Sequence, residues 1–117
     1  MMKKLEQKYN WSEWRNFPDP RKGEYLFAPF GFGVYQLRNS KINEFTLFGS
    51  GNNLAYRMSS LLPKPFGQGT RRNEKKREYV LNNIENIEYR TVAFTSENEM
   101  KNCERELKQL NIHKFNT

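Results

Sequence analysis

The chain has one cysteine, Cys103, and one histidine, His113, in 117 residues. A lone thiol excludes an internal disulfide framework and a multi-cysteine zinc site, and it fits a reducing compartment. No apolar run approaches the roughly 18 residues that a membrane-spanning helix needs. The opening Met-Met-Lys-Lys-Leu-Glu-Gln-Lys-Tyr-Asn has no apolar stretch of the signal-peptide kind. A cytoplasmic protein without membrane attachment is expected. There is no internal repeat and no low-complexity tract. Negative charge is also scarce: 13 Asp and Glu against 20 Lys and Arg leave a net +7. Such a surplus favours a polyanionic partner, most simply nucleic acid, although a basic surface with no partner has the same composition.

Aromatic residues are plentiful. Nine Phe, six Tyr and two Trp predict a packed core rather than disorder, and the length allows one domain with a single modest core. Residues 1–24 are polar and proline-punctuated and read as an extension that docks on a domain formed by residues 25–117. Trp11 and Trp14 are spaced to share one side of a short helix, which Pro18 and Pro20 then break. Packing on the domain body is expected of both rings.

From Glu24 the chain turns apolar. Gly33 to Arg38 alternates as a strand, with Val34 and Gln36 on one face and Tyr35 and Leu37 on the other. A polar turn follows, and Glu44 to Phe48 forms the second arm of an antiparallel hairpin. Gly49-Ser50-Gly51 then reads as a sharp turn into a helix from Asn53 to Leu62, whose apolar stripe is Leu54, Met58, Leu61 and Leu62. Asn53 can accept a hydrogen bond from the free amides at that helix start. Arg57, a planar cation suited to phosphate, follows one turn later, so turn, helix start and arginine together suggest an anion site.

Residues 64–70 read as a mobile loop. Arg71, Arg72, Lys75, Lys76 and Arg77 then put five cations into seven residues, placed to follow a phosphate backbone. A solvated helix start is the plainer reading, but cations are disfavoured there by the helix dipole, and an anionic ligand would offset this. A helix over about 73–84 is predicted to bury Val80 and Ile84, and a strand over 87–95 carries Val92 and Phe94 on one face. Ser96 and Glu99 form a capping box for a last helix reaching Leu110, with Met100, Cys103, Leu107 and Leu110 inward and Asn111 as its stop. His113 is expected to be exposed and Cys103 to be a core residue. The sum is an α+β fold, a small three-stranded mixed or antiparallel sheet flanked by helices in the order β-β-α-α-β-α.

Read together, these residues resemble the GIY-YIG nuclease domain, found in homing endonucleases and in the nuclease subunit of bacterial nucleotide excision repair. The first motif appears as Gly33-Val34-Tyr35 and the second, degenerate, as Leu47-Phe48-Gly49. Gly49, Asn53, Leu54 and Arg57 meet the family's Gly-x-x-x-Asn-Leu-x-x-Arg, Glu104 matches the register of its late glutamate, and Asn116 resembles its terminal asparagine. The likeness covers about residues 25–117. It implies an endonuclease that hydrolyses DNA phosphodiester bonds with one divalent metal, Mg²⁺ or Mn²⁺; the expected partner is DNA, with RNA as the alternative. Tyr35 would then activate the attacking water, Arg57 steady the phosphate and Glu104 hold the metal. One carboxylate can hold a hydrated Mg²⁺.

Spacing alone does not choose between Glu104 and Glu106, which lie at opposite borders of the apolar stripe; only the family register favours Glu104. A tyrosine base also needs a nearby cation or metal, because an ordinary phenol titrates near 10. The departure is Leu47, where the family usually has a second tyrosine. Tyr25, Tyr56 and Tyr79 are the candidates to fill that place in space. Otherwise the chain is a nucleic-acid-binding module that kept the fold and lost cleavage. No base-reading motif is present, so a protein partner would supply sequence specificity. A protein-interaction role for Trp11, Trp14 and the proline-rich loop is the third reading.

Overall fold

The alternation from Gly33 to Asn39 shapes the whole molecule, because it sends apolar side chains to both sides of one strand. In the computed structural model, which describes residues 2–62 and 74–116, this strand lies inside the sheet and each face carries its own core. The elements are α1 (Met2–Lys8), β1 (Arg15–Asn16), β2 (Gly33–Asn39), β3 (Glu44–Gly51), α2 (Leu54–Ser59), α3 (Glu74–Asn82), β4 (Ile87–Ala93) and α4 (Glu97–Leu110). The fold is α+β, and the sheet order is β1-β4-β2-β3 with every neighbouring pair antiparallel.

Among the described residues the sheet therefore has four strands, not three, and is not mixed. The extra strand comes from the N-terminal extension, where Arg15 and Asn16 pair with Tyr89 and Glu88. Two exposed residues carry no alternation, so this strand has no signature in the sequence. Against one face of the sheet pack Leu54, Met58 and Leu61, with Val80 of α3 and Phe17, over Tyr35, Leu37, Leu47 and Tyr89. Against the other pack Met2 and Leu5 of α1, with Met100, Cys103 and Leu107 of α4, over Val34, Phe48 and Val92. Cys103 is a core residue as expected; burial pushes its thiol up to about 12.

Trp11 and Trp14 follow α1 rather than lying on a helix. Their rings stack on the buried Arg90 guanidinium at 4.6 and 4.4 Å, and Arg38 lies 4.0 Å from the second ring. Burial disfavours the Arg90 charge. The two rings, Gln36 Oε1 at 2.9 Å and Glu6 at 3.3 Å compensate it. The same segment meets α4, where Lys8 Nζ and Tyr9 Oη donate to Glu106 Oε1 at 2.8 and 2.5 Å.

β3 runs through Gly51, so Gly49-Ser50-Gly51 is not the sharp turn that three small residues suggested. These residues pair in register with Tyr35, Val34 and Gly33, and the turn comes only at Asn52 and Asn53. α2 is short. Asn53 caps it, its side-chain oxygen accepting from Tyr56 N at 3.1 Å. Replacing Asn53 by alanine is expected to cost about 1 kcal/mol, read from the denaturant midpoint. Ser96 caps α4, accepting from Glu99 N at 3.2 Å, and Asn111 ends it in the left-handed conformation at φ 53°.

His113 is buried, contrary to its expected exposure near the C-terminus. After α4 the chain returns along β3, where Lys114 N and Phe115 N donate to Phe45 O and Thr46 O. This return places the imidazole against Phe45 and Phe48, 2.9 Å from Gln36 Nε2. Burial lowers its pKa from 6.5 to about 4, Asn116 nearby offsetting part of the shift and Arg90 adding to it. The folded state thus holds the neutral ring, while the unfolded chain takes up a proton first as pH falls. Stability is full above pH 6.5 and is lost towards pH 4, by up to about 3 kcal/mol. A series of urea midpoints across this window should show that slope, and His113→Gln should flatten it.

Candidate functional site

The site is built on the end of β3. A β-carbon on Gly49 would lie 2.6 Å from the Tyr35 hydroxyl and 2.7 Å from its ring carbons, so the phenol lies flat on this glycine. A β-carbon on Gly51 would lie 3.1 Å from Arg57 Cβ, so the arginine stem crosses the same strand two residues on. The chemistry of this stretch is close approach, which only a residue without a side chain permits. Tyr35 is 5% exposed and Arg57 is half-buried, so both are held by packing rather than waving in solvent.

Lys76, on the first turn of α3, joins the second half of the site. Burial lowers its pKa, the Arg57 charge adds to this and the Glu104 carboxylate opposes it. Lys76 thus lies within electrostatic reach of both groups, which come from helices far apart in the chain. Glu104 is half-buried and makes no hydrogen bond or ion pair among the described residues. Glu106 is different: Lys8 and Tyr9 bind its carboxylate, and Lys8, the larger of the two influences that oppose burial, helps hold its pKa below the usual value. Of the two carboxylates that spacing left equivalent, Glu106 anchors the N-terminal segment and Glu104 stays available.

The other expected contributors divide. Lys75 is exposed on α3, while Arg77 of the same basic run is buried and donates from Nε and Nη2 to Leu62 O at 3.1 and 2.9 Å, tying α3 to the turn that follows α2. Arg71 and Arg72, and the loop before them, lie outside the described residues. Asn53 serves as the helix cap described above. Leu47 is fully buried beside Leu37, to which it pairs in register. None of the three tyrosines considered for its place is a buried neighbour of Tyr35's kind. Tyr25 and Tyr56 are 80% and 78% exposed, and Tyr79 lies at the hairpin end, accepting from Asn39 Nδ2 at 3.2 Å. Asn116 Nδ2 donates to Lys108 O at 2.8 Å, closing the chain against α4.

Among the described residues no three His, Cys, Asp or Glu side chains are grouped to form a protein-only metal cage. No described helix is long and apolar enough to cross a membrane. What sequence reasoning missed is that Lys76 belongs with Arg57 and Glu104 rather than with a surface stripe. The signal was its position four residues before Val80, which puts both on the inward side of α3. Comparison with family models, with curated proteins and with solved structures finds no match to this chain.

Proposed function

We propose that this protein is a metal-dependent endonuclease of the GIY-YIG kind, hydrolysing phosphodiester bonds in DNA with one Mg²⁺ or Mn²⁺. One observation carries the reading: Lys76 lies within electrostatic reach of both the Arg57 guanidinium and the unengaged Glu104 carboxylate, and the Arg57 stem meets β3 at Gly51, two residues from the glycine on which Tyr35 lies. Two fixed positive charges suit the non-bridging oxygens of a phosphate, whose charge grows in the transition state. The donor set fits a hard cation that keeps most of its waters, since one oxygen ligand with free lone pairs is enough. Glu104 would hold that ion, which when bound supplies a water of lowered pKa and a counter-charge for the leaving oxygen.

In this reading Arg57 and Lys76 orient the phosphate, and the Tyr35 phenol positions the attacking water, its ring fixed by Gly49. The resemblance at Gly33-Val34-Tyr35 and at Gly49, Asn53, Leu54 and Arg57 supports the same assignment. Leu47 favours a second reading, a nucleic-acid-binding module without turnover, because a buried leucine can neither relay a proton nor donate a hydrogen bond. The deciding experiment incubates purified protein with single-stranded, duplex and branched DNA in Mg²⁺, in Mn²⁺ and in chelator. Metal-dependent cuts support the nuclease. Salt-sensitive binding with every strand intact supports the binding module.

A further inference from the structure

Four large aromatic side chains stand in solvent on one stretch and the helix it contacts: Tyr25 at 80%, Phe27 at 66%, Phe30 at 81% and Tyr56 at 78% exposed. Their exposure is built in. Between them Leu26 and Ala28 pack on the core, so successive side chains alternate inward and outward. Phe27 N donates to the buried Tyr89 Oη at 2.9 Å, and Pro29 O and Gly31 O accept from Ala55 N and Leu54 N at 2.9 and 3.2 Å. These bonds fix Phe30 beside the first turn of α2, whose next residues are Tyr56 and Arg57. Cations accompany the rings, with Arg15 5.5 Å from the Phe27 centroid.

Four large rings left in solvent along one such stretch mark an interaction site. Flat rings beside cations, on a chain of net +7, match unpaired bases and the phosphates that join them. A duplex offers no base face to stack on.

We propose that Phe30 and Tyr56 form a stacking platform for unpaired bases of single-stranded DNA next to the phosphate held by Arg57, with Phe27 and Tyr25 extending it. This rests on the phosphodiester-binding reading of Arg57 and narrows the substrate to a single strand.

The test measures anisotropy of a labelled oligodeoxythymidylate in chelator. It compares this strand with an abasic strand of equal length, with the same sequence as duplex, and with oligouridylate. The wild-type chain should bind the base-bearing DNA strand at least about tenfold tighter than the abasic one. Phe30→Ala with Tyr56→Ala should erase that preference and leave abasic binding and the melting temperature unchanged. Equal binding of the two strands, a preference that survives the double substitution, tighter binding of duplex or of oligouridylate, or no binding at all would each overturn the proposal. A parallel Mg²⁺ cleavage assay separates the two readings. Base preference without cutting sinks the nuclease alone, and cutting without base preference sinks the platform alone.

Discussion

Glu104→Ala is expected to lose Mg²⁺-dependent DNA cleavage by on the order of 10³-fold or more, with folding intact. The carboxylate makes no hydrogen bond or ion pair among the described residues, so its removal takes away a charge rather than a structural tie. The melting midpoint should move by no more than about 0.5 kcal/mol equivalent. Glu104→Gln, which keeps the shape and discards the charge, should lose as much activity as alanine. Glu106→Ala is the informative control, since it breaks the bonds to Lys8 and Tyr9. It should cost about 1 kcal/mol of stability and spare the cleavage rate. Were Glu104→Ala to cut at the wild-type rate, the nuclease assignment would be lost.

Gly49→Ala should be the most damaging single methyl group that can be added to the candidate site. The new carbon would stand 2.6 Å from the Tyr35 oxygen and 2.7 Å from two ring carbons, in a place where the ring is 5% exposed and cannot swing away. Overpacking of this kind costs about 1–3 kcal/mol, and it displaces the phenol from the place it takes in the proposed phosphate site, so any cleavage activity should fall with stability. A double-mutant cycle isolates the contact. In a Tyr35→Ala background the same Gly49→Ala change should cost less than about 0.5 kcal/mol, because alanine in a strand is otherwise preferred to glycine. Additive losses in urea denaturation would show that the ring does not rest on the glycine.

Period and capping were readable wherever one residue's neighbours settle its fate. The two faces of β2 follow from Val34, Tyr35, Gln36 and Leu37 in turn, and the ends of α4 follow from Ser96 and from Asn111, which tolerates a positive φ. What could not be read depends on contacts between distant segments. Gly49 looks like a turn residue until Tyr35 is seen lying on it from the next strand. Arg15 and Asn16 become a strand only because β4 offers an open edge. His113 is buried because the chain doubles back along β3, which no local pattern announces. Glu104 and Glu106 separate only when α1 arrives to occupy one of them.

The pairing of β1 with β4 also dictates an order of assembly. Residues 2–17 are made before their partners in the sheet and around Arg90, which follow some seventy positions later. The hairpin of β2 and β3 closes locally, whereas the leading segment must wait, its two indoles uncovered, until Ile87–Ala93 has been synthesised. This stretch is thus seated only after a strand made much later, and in a nascent chain stalled before that strand the tryptophans are surface for a chaperone to hold.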